Sequence, residues 1–321
     1  MSVGSGFRTV PVEDDFLHPV PEGAPYTWTE TNYFGFNIPE AGINGDIYIW
    51  FHPALKVASA GFICWRGNKR IALECDYFDY RAWMPMPDGQ IDDYSLPNGL
   101  SVRMVEPLKL FEISYRDEAR GTTLDLTMRG LIAPVGRGDG LHFLQPMKTD
   151  GKLVLRGEEH VIDGYFTRDR SFCQPRPETH SSIPAMGWLT GIFGDDFAFH
   201  LCAWDDPDLV PERTGYAVPQ QGEHVRFGYV MRDGAVFEIV SATKRTVLED
   251  GIAPTGYAIT IVDSGGGTHE MTGEVQARMP WNTWPNLLVY LCMTKWTCNG
   301  RTGYGDTQEI MHNDYVRRFA R

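Results

Sequence analysis

The sequence predicts an all-β protein built from many short antiparallel strands with few helices, and three observations support this prediction. Gly and Pro account for 34 and 21 of the 321 residues, a high share that is typical of frequent turns. Aromatic residues make up 12% of the chain, and aromatic side chains favour strands. No stretch of twelve residues repeats its apolar positions at the helical period of 3.6.

The predicted strands follow one another along the whole chain. Apolar and polar residues alternate, as in half-buried strands, over residues 46–52, 61–65, 109–115, 122–128, 152–155, 197–204, 225–231 and 257–262. The predicted strands are punctuated by turn pairs, which are Gly67-Asn68, Asp88-Gly89, Asp139-Gly140, Asp150-Gly151 and Asp233-Gly234. This order of strands and turns predicts antiparallel sheets or barrels.

The length fits either two domains or one large β domain. A faint internal repeat favours two units: Asp117, Gly121, Thr122 and Pro134 recur 146 residues later as Asp263, Gly267, Thr268 and Pro280. We therefore expect one β domain over residues 1–150 and a second over residues 151–321.

Charge and cysteine usage exclude several classes of function. The net charge of −13, without clusters of Lys and Arg, is poorly suited to nucleic acid or to anionic membranes. The apolar run Leu287–Met293 is too short to span a bilayer. No signal peptide is visible, and the six cysteines lack CxxC or zinc-type spacing, so we expect reduced thiols in the cytoplasm.

Cofactor motifs are also missing from the sequence. There is no GxGxxG, no Walker loop and no GxSxG elbow, and the histidines lack HxxxH or HExxH spacing. We therefore expect neither a cofactor nor a metal, and a protein that works as a monomer or a homodimer.

The densest polar cluster covers residues 158–176. If this segment is a strand, Asp163, Tyr165, Asp169 and Ser171 share one face, and Arg168 lies on the other. Carboxyl groups beside arginines can serve in acid–base chemistry, because burial raises the pKa of a carboxyl group and a neighbouring arginine lowers it. The same carboxylates and arginines could instead form a structural network of ion pairs, and their spacing alone leaves both interpretations open.

Several short motifs resemble those of the tandem lipocalin-like proteins related to carotenoid 1,2-hydratase (hydroxyneurosporene synthase) and the AttH-like proteins. The motifs are His142-Phe-Leu-Gln-Pro-Met, Asp163-Gly-Tyr-Phe-Thr-Arg-Asp-Arg-Ser-Phe, Gly303-Tyr-Gly-Asp-Thr-Gln-Glu309, Asn32-Tyr-Phe-Gly-Phe-Asn and Ile47-Tyr-Ile-Trp. In that group, an acidic/basic pair is typically followed by Ser-Trp-Gly. Arg168, Asp169 and Ser171 match this pattern, whereas Phe172 and Cys173 stand where Trp and Gly are usual.

The resemblance implies two lipocalin-like antiparallel β-barrel units in tandem, and a hydratase, dehydratase or isomerase that acts on a hydrophobic substrate without a cofactor. A terpenoid, a steroid or an aromatic alkene or alcohol would fit such a pocket. We expect Asp169 to be the proton donor, with Arg168 and Ser171 setting its orientation and with Asp163 and His200 as the next candidates for catalysis. Substrate binding is expected from Arg168, Ser171, Tyr165, His142, Trp50, Trp188, Trp204 and Tyr290.

Two other functions remain open from the sequence. A barrel with the same aromatic residues would serve a lipid or terpenoid carrier that does no chemistry. Aromatic residues and carboxylates together also describe the cleft of a carbohydrate-active hydrolase.

Overall fold

The computed structural model describes residues 6–176, 185–206, 208–209, 225–284 and 287–319, and it confirms the all-β prediction. The regular structure of these residues is strand apart from one α-helix, α1 (Asn313–Phe319), and four short 3-10 helices. The 3-10 helices are Val12–Asp15, Pro39–Ala41, Ala72–Glu74 and Glu118–Arg120. Within the described ranges, no helix has the length and apolar character that crossing a membrane requires.

The chain forms two compact units. Unit 1 comprises Met1–Trp65 and Cys75–Pro177, and unit 2 comprises Arg66–Glu74 and Glu178–Arg321. The prediction of two antiparallel β units in tandem is therefore confirmed. The division expected at residues 150/151 instead falls inside one long strand of unit 1, and the units divide at residues 177/178.

Unit 1 is a twelve-stranded sheet. Its strands are β1 (Phe7–Thr9), β2 (Trp28–Ile38), β3 (Ile43–His52), β4 (Val57–Arg66), β5 (Tyr77–Pro85), β6 (Asp93–Ser95), β7 (Leu100–Glu106), β8 (Leu110–Asp117), β9 (Thr122–Gly130), β10 (Val135–Arg137), β11 (His142–Leu155) and β12 (Glu158–Pro175). The main path runs β5-β4-β3-β2-β12-β11-β9-β8-β7-β6, and β10 joins β1 to β11.

The unit 1 sheet curls into a half-barrel whose distant strands approach each other. The hydroxyls of Tyr77 on β5 and Tyr115 on β8 lie 2.5 Å apart, although six other strands of the path separate β5 from β8. The Asn98 amide donates to the Ala60 carbonyl over 3.0 Å, which links the β6–β7 turn to β4. The enclosed core is aromatic and aliphatic because each strand of the main path contributes side chains to it, including Phe34, Phe36, Phe62, Phe111, Leu124, Leu126 and Phe166.

The hairpin of β11 and β12 corrects one predicted turn. Asp150-Gly151 lies within β11, where Gly151 pairs with Leu126 of β9. A Cβ on Gly151 would lie 2.0 Å from the Asp125 carbonyl oxygen, so glycine serves the close approach of two strands rather than a turn. The turn itself is Arg156-Gly157, with φ values of 51° and 89°.

Unit 2 is a closed eight-stranded barrel. Its strands are β13 (Met186–Ile192), β14 (Phe197–Trp204), β15 (Val225–Arg232), β16 (Ala235–Glu249), β17 (Ala253–Asp263), β18 (Thr268–Trp284), β19 (Leu287–Cys298) and β20 (Arg301–His312). The predicted strand 197–204 coincides with β14, and the predicted turn Asp233-Gly234 joins β15 to β16 with φ values of 51° and 78°. The barrel interior is filled by residues such as Leu189, Phe199, Leu201, Ile259 and Trp296.

Candidate functional site

Strand β12 presents two chemically different faces, because successive side chains of a strand point to opposite sides of its sheet. Arg168 and Arg170 are fully buried toward the unit 1 core. Asp169 and Ser171 lie on the other side of the sheet, which we call the outer face. The alternation that the sequence predicted for this segment is confirmed.

On the outer face, one histidine contacts both Asp169 and Ser171. His142 on β11 lies directly opposite Ser171 in the antiparallel register. Its Nδ1 is 2.8 Å from the Ser171 Oγ, and its Nε2 is 3.5 Å from the Asp169 Oδ2. His142 is buried, whereas 19% of the Asp169 side chain is exposed, so a ligand can reach the carboxyl group. A hydroxyl, an imidazole and a carboxyl group thus form a continuous polar chain.

Aromatic residues extend the outer face beside this polar chain. The cross-strand register aligns Asp169 with Tyr33 of β2 and with Tyr48 of β3. The next row aligns Ser171 with Thr31 and Trp50. The rings of Tyr33 and Tyr48 meet edge to face with centroids 5.3 Å apart, and those of Tyr48 and Trp50 with centroids 5.4 Å apart. Tyr33 and Trp50 are buried and Tyr48 is partly exposed, so this row of rings is an apolar lining beside the polar chain.

The phenol of Tyr48 is electrostatically coupled to the candidate acid. Burial raises the pKa of Tyr48, the Arg176 guanidinium opposes this rise, and the negative charge of Asp169 reinforces it. Arg176 also lies over the Trp50 ring, with its Cζ 5.0 Å from the ring centroid. The outer face therefore combines a carboxyl group, an imidazole, a phenol and a guanidinium with aromatic surface.

Arg168 cannot orient Asp169 as the sequence led us to expect, because the two side chains lie on opposite faces. The Arg168 guanidinium forms an ion pair with Asp15, and both side chains are completely buried. It also lies over the ring of Phe111, with its Cζ 4.1 Å from the centroid. Arg168 therefore belongs to the unit 1 core, and the contact to Asp169 comes from His142.

Asp163 and Tyr165 share the outer face with Asp169 but not its surroundings. The Asp163 side chain is 72% exposed and forms an ion pair with Lys148, whose Nζ also lies 4.7 Å from the Tyr165 ring centroid. Six residues of extended strand separate Asp163 from Asp169, which corresponds to roughly 20 Å. The structure therefore does not bring Asp163 and Tyr165 into contact with His142 and Asp169, because the extended strand carries them away along the sheet.

Four other residues expected in the site belong to unit 2. His200 on β14 is fully buried, and its ring lies 4.5 Å from that of Trp188 and 6.0 Å from that of Tyr229. Because Leu189 and Leu201 face the barrel interior, their neighbours Trp188 and His200 lie on the outside of the barrel wall. Trp204 is partly exposed at the end of the same strand.

Tyr290 lies on the interior side of the unit 2 barrel wall. It lies opposite Glu309 in the register of β19 and β20, on the interior face, so it cannot share a surface of unit 2 with His200. Sequence reasoning grouped the two residues because the sequence alone does not show which strand positions face inward once the barrel closes.

Sequence reasoning missed a buried ion cluster inside the unit 2 barrel. The Lys244 ammonium lies 2.8 Å from Glu309 and 3.1 Å from Asp205, and it donates to Thr246 over 2.7 Å. A Cβ at position 187 would lie 2.3 Å from the Lys244 Cε, so Gly187 provides the space for this side chain. A single Lys in an alternating strand does not indicate from sequence that its side chain is buried. Of the residues in this cluster, only Glu309 lies within a motif named in the sequence analysis, Gly303-Tyr-Gly-Asp-Thr-Gln-Glu309.

Cys173 occupies the position at which the resembling proteins usually carry Gly. Its φ of 54° is in the left-handed region, which glycine adopts without steric cost. Burial raises the pKa of the Cys173 thiol to about 11, and the negative charge of Glu30 adds to this effect. The free thiol is therefore protonated near neutral pH, which argues against Cys173 as a nucleophile. All six cysteines, which lie among the described residues, are thiols without a disulfide bond.

Comparison of the sequence with protein families identifies a match that covers most of the chain. A family model described as a domain of unknown function, DUF7064, matches residues 11–314. The chain belongs to the DUF7064 family. No curated protein matches this DUF7064 sequence significantly.

Two solved structures share the fold of this DUF7064 protein. Kievitone hydratase from Nectria haematococca aligns with a TM-score of 0.54 at 12% sequence identity, covering 90% of this chain and 89% of the hydratase. CghA aligns with a TM-score of 0.51 at 12% identity, covering 88% of each chain. Identities this low show a common fold alone. The relation to carotenoid 1,2-hydratase and the AttH-like proteins stays a prediction.

Proposed function

We propose that this DUF7064 protein is a hydratase, or a related lyase or isomerase, that acts by acid–base chemistry on a hydrophobic alkene or alcohol. The observation that supports this most directly is the contact between the Asp169 carboxyl group and the His142 imidazole beside the Tyr33–Tyr48 aromatic row. Addition of water to an apolar double bond needs a proton donor and a proton acceptor next to an apolar surface. A similarly folded protein is a hydratase, which supports the proposal by analogy of fold.

The substrate would pack against the aromatic rings of the outer face. Tyr33, Tyr48 and Trp50 provide stacking surface, and their electron-rich faces attract a positive charge that develops on a substrate carbon. We propose a terpenoid, a steroid or an aromatic alkene or alcohol as the substrate.

In the hydration direction, the Asp169 carboxyl group donates its proton to one alkene carbon, and the π electron pair becomes the new C–H bond. A water molecule attacks the neighbouring cationic carbon and releases a proton to Nε2 of His142. The proton then passes from Nε2 to the Asp169 Oδ2 across their 3.5 Å contact, so both groups return to their starting states. The sum is the addition of one water molecule, without exchange of electrons.

Ser171 would position the imidazole. Its hydroxyl is 2.8 Å from Nδ1 of His142, on the side of the ring away from Asp169. A hydrogen bond there fixes the orientation of the ring and determines which nitrogen is available to a water molecule. In this role Ser171 acts through His142 rather than on the substrate.

A glycoside hydrolase is supported less well. Such enzymes need two carboxyl groups about 5 to 9.5 Å apart. Of the other β12 carboxylates on the outer face, Asp163 is the nearest to Asp169 in sequence, and it lies roughly 20 Å along the strand. A lipid or terpenoid carrier would use the same aromatic rings to bind its ligand without converting it. Only a measurement of turnover therefore distinguishes the carrier from the hydratase.

The test is incubation of the purified protein with terpenoid, steroid and aromatic alkenes and alcohols in ¹⁸O-labelled water, followed by mass spectrometry. We expect an alkene to gain one labelled water, or an alcohol to lose water, with the wild-type protein and not with Asp169→Asn. Saturable quenching of tryptophan fluorescence without a change in ligand mass would support the carrier instead, and cleavage of a glycoside would support the hydrolase. The cytoplasmic location and the monomeric or homodimeric state remain predictions.

A further inference from the structure

A second cluster of reactive side chains lies in unit 1, apart from the outer-face residues. It consists of His18 from the N-terminal segment, Glu30 from β2 and Cys173 from β12. One ligand atom of each residue, a ring nitrogen, a carboxylate oxygen and the Sγ, all lie within 4.8 Å of one another. These three side chains are far apart in the sequence, so no motif of fixed spacing indicates them.

The backbone of β12 is distorted at the point that brings Cys173 to this cluster. The pairing of β12 with β2 is regular at Ser171 and shifts register before Gln174, which makes a β-bulge around Cys173. Strict alternation from Ser171 would put Cys173 on the outer face. The bulge and the left-handed φ of 54° instead bring its Sγ to Glu30, whose carboxylate pairs with the core residue Arg170. Strained backbone that aims a side chain is a recurrent feature of functional sites.

The His18 imidazole has a carboxylate beside each ring nitrogen, an arrangement that is also found around metal-binding histidines. Its Nδ1 lies 3.3 Å from Oε1 of Glu30, and its Nε2 lies 3.4 Å from Oδ1 of Asp14. The ring stacks on Phe172 with centroids 4.5 Å apart. A carboxylate on the remote ring nitrogen is the usual outer partner of a metal-ligating imidazole, because it fixes the tautomer and the ring orientation.

The carboxylates of the cluster are anchored by arginines. Arg170 binds Oε2 of Glu30 over 2.7 Å and leaves Oε1 on the side of His18, where it also accepts the His18 backbone N–H over 3.0 Å. Arg8 pairs with Asp14. The positive charges therefore orient the carboxylates, and a cation at the cluster would meet the Glu30 carboxylate, the His18 imidazole and the Cys173 sulfur, whose proton it displaces into solvent.

We propose that His18, Glu30 and Cys173 bind one divalent cation of the zinc type. A thiolate, an imidazole and a carboxylate are the ligand set that Zn²⁺ and Co²⁺ favour. Metal–ligand bonds of about 2.0 to 2.3 Å in tetrahedral geometry require ligand atoms about 3.5 Å apart, so binding draws the three atoms together by up to about 1 Å. Because His18 and Cys173 are partly exposed, a water molecule can take the fourth position. Binding ties the N-terminal segment to β2 and β12.

Cobalt titration of the chelator-treated protein tests this site. The wild-type protein should bind one Co²⁺ per chain and develop the near-ultraviolet absorption of a thiolate–cobalt bond, and Cys173→Gly should abolish this absorption. Glycine tolerates the left-handed backbone at position 173, so this variant keeps its fold. Asp14→Asn, which removes the carboxylate that contacts Nε2 of His18 and also pairs with Arg8, should weaken Co²⁺ binding by about 10- to 100-fold. Cys75→Ser is the matched control in the same unit and should bind as the wild type does.

Thermal unfolding provides a second readout that needs no activity. Zn²⁺ at about 100 times its dissociation constant should raise the melting temperature of the wild-type protein by about 5–10 °C, and that of Cys173→Gly by much less. The proposal is overturned if the wild-type protein shows no saturable thiolate–cobalt absorption. It is also overturned if Cys173→Gly retains that absorption, or if Cys75→Ser loses it. None of these outcomes depends on whether the outer face is catalytic.

Discussion

Nε2 of His142 lies 3.5 Å from Oδ2 of Asp169, across the boundary between two adjacent antiparallel strands. The register of β11 and β12 produces this contact, because His142 faces Ser171 directly and reaches Asp169 diagonally. The two side chains that we propose to exchange protons are thus positioned by the backbone hydrogen bonds of a long hairpin rather than by a loop.

Asp169→Asn should lower the rate of the proposed reaction by about 10²- to 10⁴-fold, because asparagine keeps the shape and loses the transferable proton. Ligand affinity should change little, since the loss falls on the transition state. Steady-state kinetics together with fluorescence titration measure the two effects. Asp163→Asn is the control on the same face of the same strand and should turn over normally. Equal losses in both variants would contradict the catalytic role of Asp169.

His142→Gln should also lower the rate by about 10²- to 10⁴-fold, because glutamine can hydrogen-bond to Ser171 but cannot accept a proton from water. The melting temperature should stay close to that of the wild type. His160→Gln, on the distant half of β12, is the matched control. A His142 variant that turns over at the wild-type rate would remove the imidazole from the mechanism.

The sequence predicted the two faces of β12 correctly because alternation is a local property of a strand. It could not predict the partners of those faces. Asp15 and Glu30, which neutralise Arg168 and Arg170, are far away in the chain. Their contacts depend on how a 3-10 helix packs onto the half-barrel and on the pairing of β2 with β12, which no local pattern encodes.

Asp15→Asn should destabilise unit 1 by about 3–5 kcal/mol, because it leaves the Arg168 guanidinium buried without its counter-charge. This corresponds to a fall in melting temperature of roughly 6–20 °C. The double variant Asp15→Asn/Arg168→Met should recover part of the loss, because it removes the unpaired charge as well. Scanning calorimetry measures both changes. If the double variant is as unstable as the single one, the charge pair is not the origin of the stability.

Tyr77→Phe tests the electrostatics of the network that joins β5 to β8. The Tyr77 hydroxyl donates to Oδ2 of Asp117 over 2.6 Å, and this bond, with Arg120 as a second cause, holds the pKa of Asp117 below its usual value against the opposing effect of burial. A carboxyl group whose pKa is depressed by folding stabilises the protein above its unfolded-state pKa. This contribution disappears as the pH falls through the folded-state pKa.

The stability difference between wild type and Tyr77→Phe should therefore be largest at neutral pH and shrink below about pH 4. Urea denaturation at several pH values measures this dependence. Tyr80→Phe is the control on the same strand, because its hydroxyl donates to the Ser59 carbonyl rather than to a carboxylate. A difference for Tyr77→Phe that stays constant from pH 7 to pH 3 would contradict the assigned cause of the Asp117 shift.

The wrong turn at Asp150-Gly151 and the missed turn at Arg156-Gly157 have one physical origin. A glycine is required wherever a Cβ would collide, and both a left-handed turn and a close strand crossing meet that condition. The sequence shows the glycine without showing which condition applies. Gly151 faces the Asp125 carbonyl oxygen, and only the pairing of β9 with β11 reveals it.

The alternation of β12 also limits which insertions and deletions its lineage can tolerate. Inserting a single residue between the hairpin turn and Arg168 would move the guanidinium to the solvent-reachable side and drive Asp169 into the apolar core. Inserting two residues would return every side chain to its original face of the sheet and would make the hairpin longer. Length variation among descendants of this hairpin should therefore occur in steps of two residues, unless a new bulge absorbs the odd residue.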